Sequence, residues 1–545
     1  MTVKKNDQVV VNIEDIGSDG EGIGKYKGYT LFIKDTVVGD KALVNVMKTG
    51  KTYGYARLIK LLEPSSFRVE PRCPIADKCG GCQLMHLDYS KQLEYKENKV
   101  RNCLSRIGGF HDFHMEPICG MEEPYYYRNK SQFPVGRNKN GSIDIGFYAG
   151  RTHSIVDTKH CYIGARVNVE IIEFLRSFIE QYHIEPYEEE TGKGLLRHIL
   201  TRVGFQTGEI MVCLVVNGRD IPHKTELVEG LREITGMKSI CLNINTSKTN
   251  VILGDKIIPI WGEPYITDYI GQVKYQISPL SFYQVNPEQT KKLYDIALEY
   301  ADLHGEETVW DLYCGIGTIS LFLAGKVKKV YGVEIIPQAI EDAKKNAEIN
   351  GITNAEFFIG AAEEVLPKKY KEENIYADVI VVDPPRKGCD QSLLDTILAM
   401  APKRIVYVSC DPATLARDLK ILCEKDYELV KVRAVDQFGH SVHVETVVLL
   451  SQQKPSDRIE VDLDLDELDV TSVEMKATYA EIKDYVLKEH GLKVTNLYIS
   501  QIKRKCGLEV GENYNLAKSE DAKQPNCPEE KEKAIVGALK HFGMI

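Results

Sequence analysis

The fold is decided by Thr308-Val309-Trp310-Asp311-Leu312-Tyr313-Cys314-Gly315-Ile316-Gly317-Thr318. The apolar start of this stretch predicts a buried strand, and residues 319–324 predict a helix. Between them, Gly315 and Gly317 allow a tight turn and close approach of a ligand to the backbone. The next predicted strand, 329–333, ends in Glu334, where an acidic side chain can bind both hydroxyls of a ribose. Together these features predict a nucleotide-type pocket, although Glu334 alone would also fit a solvated surface charge.

Strand and helix patterns alternate over residues 275–451, which is typical of a parallel sheet in a Rossmann-like α/β domain. One predicted strand, 378–382, is followed by Asp383-Pro384-Pro385-Arg386. The two prolines fix the loop outside the strand end and remove two amide donors. Such an element is common in S-adenosylmethionine enzymes and rare in NAD enzymes, so the pocket favours methyl transfer over hydride transfer. An aromatic residue after the prolines would indicate methylation of an amino group, but Arg386 stands there instead.

A cysteine follows another predicted strand of this domain, at Ser409-Cys410-Asp411-Pro412. Residues 404–408 predict the strand and residues 413–419 a helix, so Cys410 lies where strand becomes loop. Ligands of open α/β sheets bind at that edge. A thiol at this place can act as a nucleophile, although a free cysteine more often packs as a small apolar residue.

An uncharged pyrimidine ring is one substrate that needs such a thiol. Carbon 5 of uracil is too weak a nucleophile to take a methyl group until a thiolate adds to carbon 6. A base must then remove the carbon 5 proton, so the chemistry needs both a nucleophile and a base. Cys410 fits the first role. Glu445 fits the second because it enters an apolar strand, where burial raises a carboxyl pKa; the alternative is a charge at an exposed strand end.

Three further cysteines, Cys73, Cys79 and Cys82, have the spacing C-x₅-C-x₂-C. With a fourth thiolate they would suit zinc or an iron–sulfur cluster. The spacing leaves Cys103, Cys119 and Cys161 as candidates for the fourth ligand. The radical S-adenosylmethionine signature has three residues in the first gap, so no radical mechanism is predicted. Unliganded core cysteines are less favoured because two glycines, 80 and 81, would pack poorly.

The rest of the chain divides by composition. Residues 1–62 alternate apolar and polar with frequent glycines, which predicts a small β-barrel. A central α+β domain is expected over 63–274 and the α/β domain over 275–451. Residues 452–474 are acidic and read as a linker, and residues 475–545 predict a helical tail. Within the tail, residues 498–505 fit either the recognition helix of a helix-turn-helix or a helix with no binding role.

Length and charge set the remaining limits. A chain of 545 residues should hold three or four domains. The net charge of −10 is concentrated in residues 457–474, so any contact with RNA must use local basic patches. Residues 125–133, in which tyrosines and basic residues are interleaved, are expected to stack an unpaired base and to hold phosphates; the alternative is a strand with ordinary surface charges. No apolar run is long enough to span a membrane, and the start lacks a signal region. Fourteen cysteines then favour a cytoplasmic protein with metal or thiol chemistry.

Several of these motifs together resemble the RNA uracil-5-methyltransferase family, which uses S-adenosylmethionine. The residues that carry the resemblance are Ser281-Phe282-Tyr283-Gln284-Val285-Asn286, Asp311-Leu312-Tyr313-Cys314-Gly315, Asp383-Pro384-Pro385-Arg386, Ser409-Cys410-Asp411-Pro412 and His443-Val444-Glu445-Thr446. Residues 15–24 resemble a TRAM domain, an OB-like RNA-binding barrel. The resemblance implies that Cys410 is the nucleophile and Glu445 the base. It also implies that S-adenosylmethionine is bound by Gln284, Tyr313, Glu334 and Asp383.

The same resemblance selects Cys161 as the fourth ligand of a [4Fe–4S] cluster. A TRAM domain combined with such a cluster fits the branch of the family that makes 5-methyluridine in 23S rRNA. The alternatives are methylation of tRNA at the same atom and a non-catalytic RNA-binding assembly factor. The expected partner is RNA, with no membrane and no protein partner implied.

Overall fold

The computed structural model describes residues 3–150, 152–424, 426–453, 479–506, 508, 527–542 and 544. These residues form two compact units, Met1–Ser456 and Asp457–Ile545. The acidic stretch predicted as a linker, 452–474, lies outside the described residues apart from its first two positions. No described helix combines the length and apolar character that crossing a membrane would require.

The first unit begins with a closed five-stranded barrel, in the order β1-β2-β3-β5-β4. Its strands are β1 (Gln8–Ile16), β2 (Gly22–Tyr26), β3 (Tyr29–Lys34), β4 (Lys41–Thr49) and β5 (Tyr53–Glu63). Alternate side chains point inwards and form the barrel core, among them Val11, Ile13, Leu31, Ile33, Val44 and Val46. The alternation expected of a small barrel is confirmed, because a period of two places every second residue on the inner face.

A second sheet has seven strands in the order β13-β12-β11-β10-β7-β8-β9. The elements from the barrel to its end are α1 (Tyr89–Cys103), a π-helical turn (Leu104–Gly108), β6 (His114–Cys119), β7 (Lys130–Arg137), β8 (Ile143–Tyr148), β9 (Ile155–Asp157), α2 (Asn168–Gln181), β10 (Leu196–Val203), β11 (Ile210–Val216), α3 (Lys224–Arg232), β12 (Met237–Ile244) and β13 (Lys256–Gly262). Helices α2 and α3 bury Leu175 and Leu227 in the core that they share with this sheet. The β14 (Ile266–Ile270) and β15 (Val273–Ile277) hairpin follows.

The third sheet has eight strands in the order β18-β17-β16-β19-β20-β22-β21-β6. The elements of this part are α4 (Pro287–Ala301), β16 (Thr308–Leu312), α5 (Thr318–Ala324), β17 (Lys329–Glu334), α6 (Pro337–Ile349), β18 (Ala355–Ile359), α7 (Ala362–Glu373), β19 (Val379–Val382), α8 (Gln391–Met400), β20 (Arg404–Ser409), α9 (Pro412–Leu422), β21 (Tyr427–Val435) and β22 (Glu445–Gln452). Strands β16 to β20 pair in parallel, and β22 pairs antiparallel with both β20 and β21. This is the Rossmann-like arrangement expected from the alternation of strands and helices.

Helices cover both faces of this sheet. One core takes Leu293 from α4, Ile319 from α5 and Ile340 from α6. The other takes Leu366, Leu393 and Leu415 from α7, α8 and α9, together with Val100 of α1.

Two elements expected in the central domain therefore belong to the third sheet. Strand β6 pairs in parallel with β21, and α1 packs beside α9. Residues on both sides of the division expected between 274 and 275 thus share this sheet, because strand pairing across some 300 residues of chain leaves no local signal in the sequence.

The second unit contains α10 (Tyr479–His490), α11 (Asn496–Lys505) and α12 (Glu529–His541). They bury a small core that includes Ile482, Val486, Ile499 and Leu539. The basic stretch considered as a recognition helix, residues 498–505, is helical, but two of its cations contact other residues of the second unit. Lys503 lies over the Tyr479 ring at 4.7 Å, and Lys505 pairs with Glu532.

Candidate active site

One cavity of about 980 Å³ lies between the second and third sheets. It is lined by residues of β7 on one side and by the ends of β16, β17, β19 and β20 on the other. The structure brings together in this cavity all six predicted catalytic and cofactor residues, namely Gln284, Tyr313, Glu334, Asp383, Cys410 and Glu445. One predicted metal ligand, Cys161, also reaches its wall.

The loop after β16 forms one end of the cavity. Tyr313, Gly315 and Gly317 all have positive φ angles, of 69°, 56° and 78°. A Cβ atom at Gly315 would meet nothing within 4 Å, so this part of the loop faces open space. The Glu334 carboxylate accepts a hydrogen bond from the Gly315 amide at 3.2 Å and another from the Ile336 amide at 3.0 Å. The loop and the Glu334 side chain therefore form one edge of the cavity, where a polar ligand can bind.

A buried aspartate in β16, Asp311, helps to fix the conformation of this loop. Asp311 is fully buried, and the Ser320 hydroxyl donates to its carboxylate at 2.5 Å. Burial raises the pKa of Asp311 to about 7. The sequence analysis quoted Asp311 as part of a motif but predicted no role for it. The feature that could have indicated a role is the position of a single acidic residue within an otherwise apolar strand. The hydrogen bond ties β16 to the first turn of α5 and so fixes the loop between them.

The predicted nucleophile and base lie side by side. In the antiparallel pairing of β20 and β22, Ser409 is opposite Thr446. Cys410 follows Ser409 and Glu445 precedes Thr446, so both emerge at the same end of the sheet. Cys410 is partly exposed, whereas Glu445 is 5% exposed. The chain thus places a thiol and a buried carboxyl group at one point of the cavity.

Electrostatics in this part of the cavity favour protonated groups. Burial and, to a smaller extent, the nearby Asp383 raise the pKa of Glu445 to about 8, while Arg386 opposes the shift. Burial, with smaller contributions from Glu445 and Asp383, raises the pKa of Cys410 to about 12. Asp383 itself has a pKa of about 7 because it is buried. Groups with such shifts are typical of sites that transfer protons.

The segment between β21 and β22, residues 436–444, is held by contacts that the sequence did not reveal. The Tyr127 hydroxyl donates to the Gly439 carbonyl at 3.0 Å. The Leu84 amide donates to the His440 carbonyl at 2.9 Å, and Lys99 donates to the Val442 carbonyl at 3.0 Å. Because this segment leads into Glu445, the cysteine-bearing region and α1 both take part in placing that carboxyl group.

The four cysteines predicted as metal ligands are neighbours in the structure. Burial raises the pKa of Cys82, and the three thiols of Cys161, Cys79 and Cys73 raise it further. The backbone amide of Gly81 donates to Cys79 Sγ at 3.4 Å, and those of Ile163 and Gly164 hydrogen-bond to Cys161. Amide donors to sulfur are one way in which proteins tune thiolate clusters.

The other two candidates for the fourth thiol are placed elsewhere. Cys103 lies near Lys99 and Asp411, and Cys119 ends β6. The structure therefore places Cys161, and not these two cysteines, beside Cys73, Cys79 and Cys82. Among the described residues, however, no three Cys, His, Asp or Glu side chains are arranged to hold a metal ion.

The tyrosines of residues 125–133 serve internal packing. The Tyr125 ring lies 4.5 Å from the His440 ring and carries the Arg72 guanidinium at 4.1 Å. Tyr126 lies under Arg166, 3.6 Å from its guanidinium. Their expected role in stacking RNA bases thus has no support from the contacts observed. The basic residues of the same stretch, Arg128 and Lys130, do line the cavity.

Two family models match the sequence of this chain. The family model described as tRNA (Uracil-5-)-methyltransferase matches residues 89–453, and the TRAM domain model matches residues 3–59. The chain belongs to the RNA uracil-5-methyltransferase family. The match to this methyltransferase family begins at the first residue of α1, and so includes α1 and β6 with the third sheet.

Relatives share most of the chain. An uncharacterized RNA methyltransferase of Clostridium tetani is 50% identical over 450 residues, which are 82% of this chain and 97% of the relative. One from Clostridium acetobutylicum is 52% identical over 453 residues, 83% of this chain and 98% of the relative. Among solved structures, the Pyrococcus abyssi tRNA (uracil-54, C5)-methyltransferase in complex with S-adenosyl-L-homocysteine is 31% identical, with a TM-score of 0.65. The match covers 82% of this chain and 100% of that one.

Proposed function

We propose that this methyltransferase transfers a methyl group from S-adenosylmethionine to carbon 5 of a uridine in 23S rRNA, through a covalent bond between Cys410 and carbon 6. The observation that carries the proposal is the adjacency of Cys410 and Glu445 at the end of β20 and β22, inside the cavity that also holds the loop after β16. Family membership supports the reaction, and the TRAM domain supports RNA as the substrate.

The methyl donor is assigned to the part of the cavity formed by Gln284, Tyr313, Glu334 and Asp383. The residues fit this ligand because the space beside Gly315 is open and the Glu334 carboxylate can accept from ribose hydroxyls. When bound, S-adenosylmethionine supplies an electrophilic methyl group on a sulfonium. The solved Pyrococcus abyssi relative was crystallised with the corresponding demethylated product, which supports this assignment.

Cys410 starts the reaction on the uracil ring. Its thiol loses a proton to solvent, and the thiolate forms a bond from Sγ to carbon 6. The electron pair of the carbon 5–carbon 6 double bond moves onto carbon 5 and the oxygen at carbon 4. The ring is then an enolate whose carbon 5 is nucleophilic. The guanidinium of Arg386, which lines the cavity, opposes the rise in the pKa of Cys410 and so favours the thiolate.

Glu445 completes the reaction. Carbon 5 bonds to the methyl carbon, while the bond from that carbon to the donor sulfur breaks and the donor leaves as a thioether. The ionised Glu445 carboxylate then takes the proton from carbon 5, the ring double bond re-forms, and the bond from Cys410 to carbon 6 breaks to release the thiolate. The raised pKa of Glu445 suits this step because a carboxylate with a high pKa binds a proton more strongly.

The choice of 23S rRNA rests on the combination of the barrel and the four neighbouring cysteines. The second candidate is methylation of tRNA, which is favoured by the name of the family model and by the tRNA enzyme among the solved relatives. A non-catalytic RNA-binding factor is disfavoured because such a protein has no need of Cys410 beside Glu445. We place the reaction in the cytoplasm, since the cysteines are free thiols suited to a reducing compartment.

We also propose that Cys73, Cys79, Cys82 and Cys161 hold a [4Fe–4S] cluster, with zinc as the alternative. The support is the mutual proximity of the four thiols and the amide donors around Cys79 and Cys161. Its role is structural, because Leu84, just after Cys82, donates to the segment that leads into Glu445.

The test is a map of 5-methyluridine in ribosomal and transfer RNA from cells with and without this protein. Loss of methylation at one or two uridines of 23S rRNA, with tRNA unchanged, is the expected result. Restoration by the wild-type chain and not by the Cys410→Ala variant would assign the loss to this site. Unchanged 23S rRNA together with loss of 5-methyluridine from tRNA would establish the second candidate instead.

A further inference from the structure

Arg202 is a cation that is buried without an anionic partner. It lies on β10 in the seven-stranded sheet and is 2% exposed. Burial lowers the pKa of its guanidinium to about 10, so the group stays charged at neutral pH. Among the described residues, no carboxylate forms an ion pair with it, and its partner on the neighbouring strand β7, Lys130, is another cation. Because a buried charge of this kind costs stability, packing alone does not account for the residue.

The Arg202 guanidinium is bonded to the segment between β15 and α4, residues 278–286. It donates to the Ser281 carbonyl and, at 3.4 Å, to the Pro279 carbonyl. The segment contains neither helix nor strand, so its carbonyl groups need partners from elsewhere in the fold. The seven-stranded sheet supplies such a partner through the side chain of Arg202.

The same segment carries two side chains into the active-site cavity. Phe282 and Gln284 line the cavity, whereas Tyr283 between them is buried in a core of the third sheet. Asn129, just before β7, donates from its side chain to the Gln284 carbonyl at 3.0 Å. Arg202 therefore fixes the backbone just before these side chains, and Asn129 fixes it at Gln284.

We propose that Arg202 is a positioning residue for the methyl donor. By holding the carbonyls of Pro279 and Ser281, it keeps Gln284 in the position that binds S-adenosylmethionine. The proposal rests on the proposed function, which assigns Gln284 to the donor site, and adds a residue that does not itself line the cavity. A segment that is fixed before the ligand arrives loses less conformational freedom on binding. An apolar side chain at position 202 could not supply this function.

The experiment measures binding of S-adenosylmethionine to the full-length chain by isothermal titration calorimetry. Arg202→Met removes the donors to both carbonyls and keeps an unbranched side chain that fills the space. The dissociation constant should rise about tenfold or more, because displacement of a binding group by about 1 Å can cost up to about 100-fold. In steady-state assays the KM for S-adenosylmethionine should rise by the same factor. The kcat at saturating donor should stay within about twofold of the wild type, as expected when binding alone is lost.

Arg197→Met is the matched control. Arg197 lies on the same strand, is 6% exposed, and donates to the carbonyls of Asn245 and Ser247 at 2.9 and 2.7 Å. Neither of those two residues lines the active-site cavity. The Arg197→Met and Arg202→Met variants should therefore lower the thermal midpoint to a similar extent, while only Arg202→Met weakens binding of the donor.

A double variant tests whether Arg202 acts through Gln284. Gln284→Ala alone should weaken donor binding. Arg202→Met/Gln284→Ala should bind the donor no more weakly than Gln284→Ala, because the effects of residues that act as one unit do not add. If Arg202→Met does not fold, Arg202→Lys takes its place: it keeps the charge but lacks the planar fork that serves two carbonyls, so donor binding should still be weaker than in the wild type.

Three results would overturn the proposal. They are wild-type donor affinity in Arg202→Met (or in Arg202→Lys where it takes its place), an equal loss of donor affinity in Arg197→Met, and additive losses in the double variant. A failure of the proposed function is distinct, because Gln284→Ala would then bind the donor like the wild type and the proposal would fall with that assignment. Weak binding by Gln284→Ala together with normal binding by Arg202→Met would refute the role of Arg202 alone.

Discussion

Lys96 and Asp436 form an ion pair in which both side chains are completely buried, with 2.5 Å between Nζ and Oδ1. Lys96 also donates to the Phe438 carbonyl at 2.9 Å, and the Tyr89 hydroxyl donates to the second oxygen of Asp436 at 2.7 Å. Helix α1 thus holds the start of the segment that ends at Glu445. Burial of this pair is costly unless both charges and their hydrogen bonds are satisfied, as they are here.

Lys96→Met should therefore destabilise the first unit and misplace Glu445. Removing one partner of a buried pair leaves an uncompensated charge, which costs about 3–5 kcal/mol. We expect a lower thermal midpoint and, in the folded fraction, accumulation of a covalent complex with RNA, since Cys410 remains in place while proton removal slows. The control is Lys91→Met on the same helix, whose pair with Glu94 is on the surface and contributes less than about 1 kcal/mol. Equal midpoints for the two variants would contradict this role of the pair.

Cys410→Ala should abolish methylation and adduct formation while leaving the fold intact. The side chain is partly exposed in the cavity, so its loss removes the nucleophile without opening a core. Denaturing gels with 5-fluorouridine-containing RNA would show the adduct for the wild type and its absence for the variant. Cys423→Ala is the matched control, since this thiol packs beside the core at the end of α9. Turnover by Cys410→Ala would rule out the covalent route.

Glu445→Gln should separate bond formation from release. Cys410 can still add to carbon 6, but the amide cannot take the carbon 5 proton, so methylated RNA should remain bound to the protein. Turnover should fall by about 10²- to 10⁴-fold, the range for loss of a general base. Mass spectrometry of the complex would detect the trapped methylated adduct. Glu428→Gln on the adjacent strand β21 is an exposed control expected to behave as the wild type. Normal turnover by Glu445→Gln would assign the base elsewhere.

The methylation rate should rise with pH and show a break near pH 8. Glu445 acts as a base only when ionised, and burial raises its pKa to about 8, so the active form increases as pH rises through that value. The His443→Gln variant should keep the break, because burial and the charges of Arg386 and Lys99 lower the pKa of His443 to about 4. Single-turnover rates between about pH 6 and pH 9 would measure this dependence. A rate that falls over the same range would contradict it.

The chain purified without oxygen should be coloured and contain iron and sulfide in the ratio of a [4Fe–4S] cluster. Cys82→Ser should lose the visible absorbance and much of the methylation, because the amide of Leu84 helps to place the segment before Glu445. Cys103→Ser changes a thiol that lies near Lys99 and Asp411 and should keep the colour. A colourless protein that contains zinc would favour the alternative metal.

The features that the sequence predicted correctly are those that depend on residues close together in the chain. The barrel followed from alternation within short strands, and the turn at Gly315 and Gly317 from the chemistry of two residues. Cys410 was placed at a strand end by the apolar stretch before it. Each of these conclusions needed fewer than about twenty consecutive residues, over which periodicity and turn preferences act directly.

Other features needed the folded chain. Tyr125 and Tyr126 have aromatic rings that could stack on RNA bases. In the fold, however, His440 packs against the Tyr125 ring and Arg166 lies over the Tyr126 ring. Phe32 and Tyr55 are neighbours on the outside of the barrel, but the sequence did not pair them, since only closure of the barrel brings β3 and β5 together. In the same way, the residues alone left Cys103, Cys119 and Cys161 open as the fourth ligand, and the family resemblance selected Cys161.

The sequence by itself determined which strands, turns and reactive residues this methyltransferase has. Tertiary structure decided which of them meet: β6 with β21, Lys96 with Asp436, and Cys410 with Glu445. The reason is physical. Local preferences depend on neighbours along the chain, whereas the pairing of distant strands and the burial of charges depend on how all the layers pack together, so the raised pKa of Glu445 exists only in the assembled core.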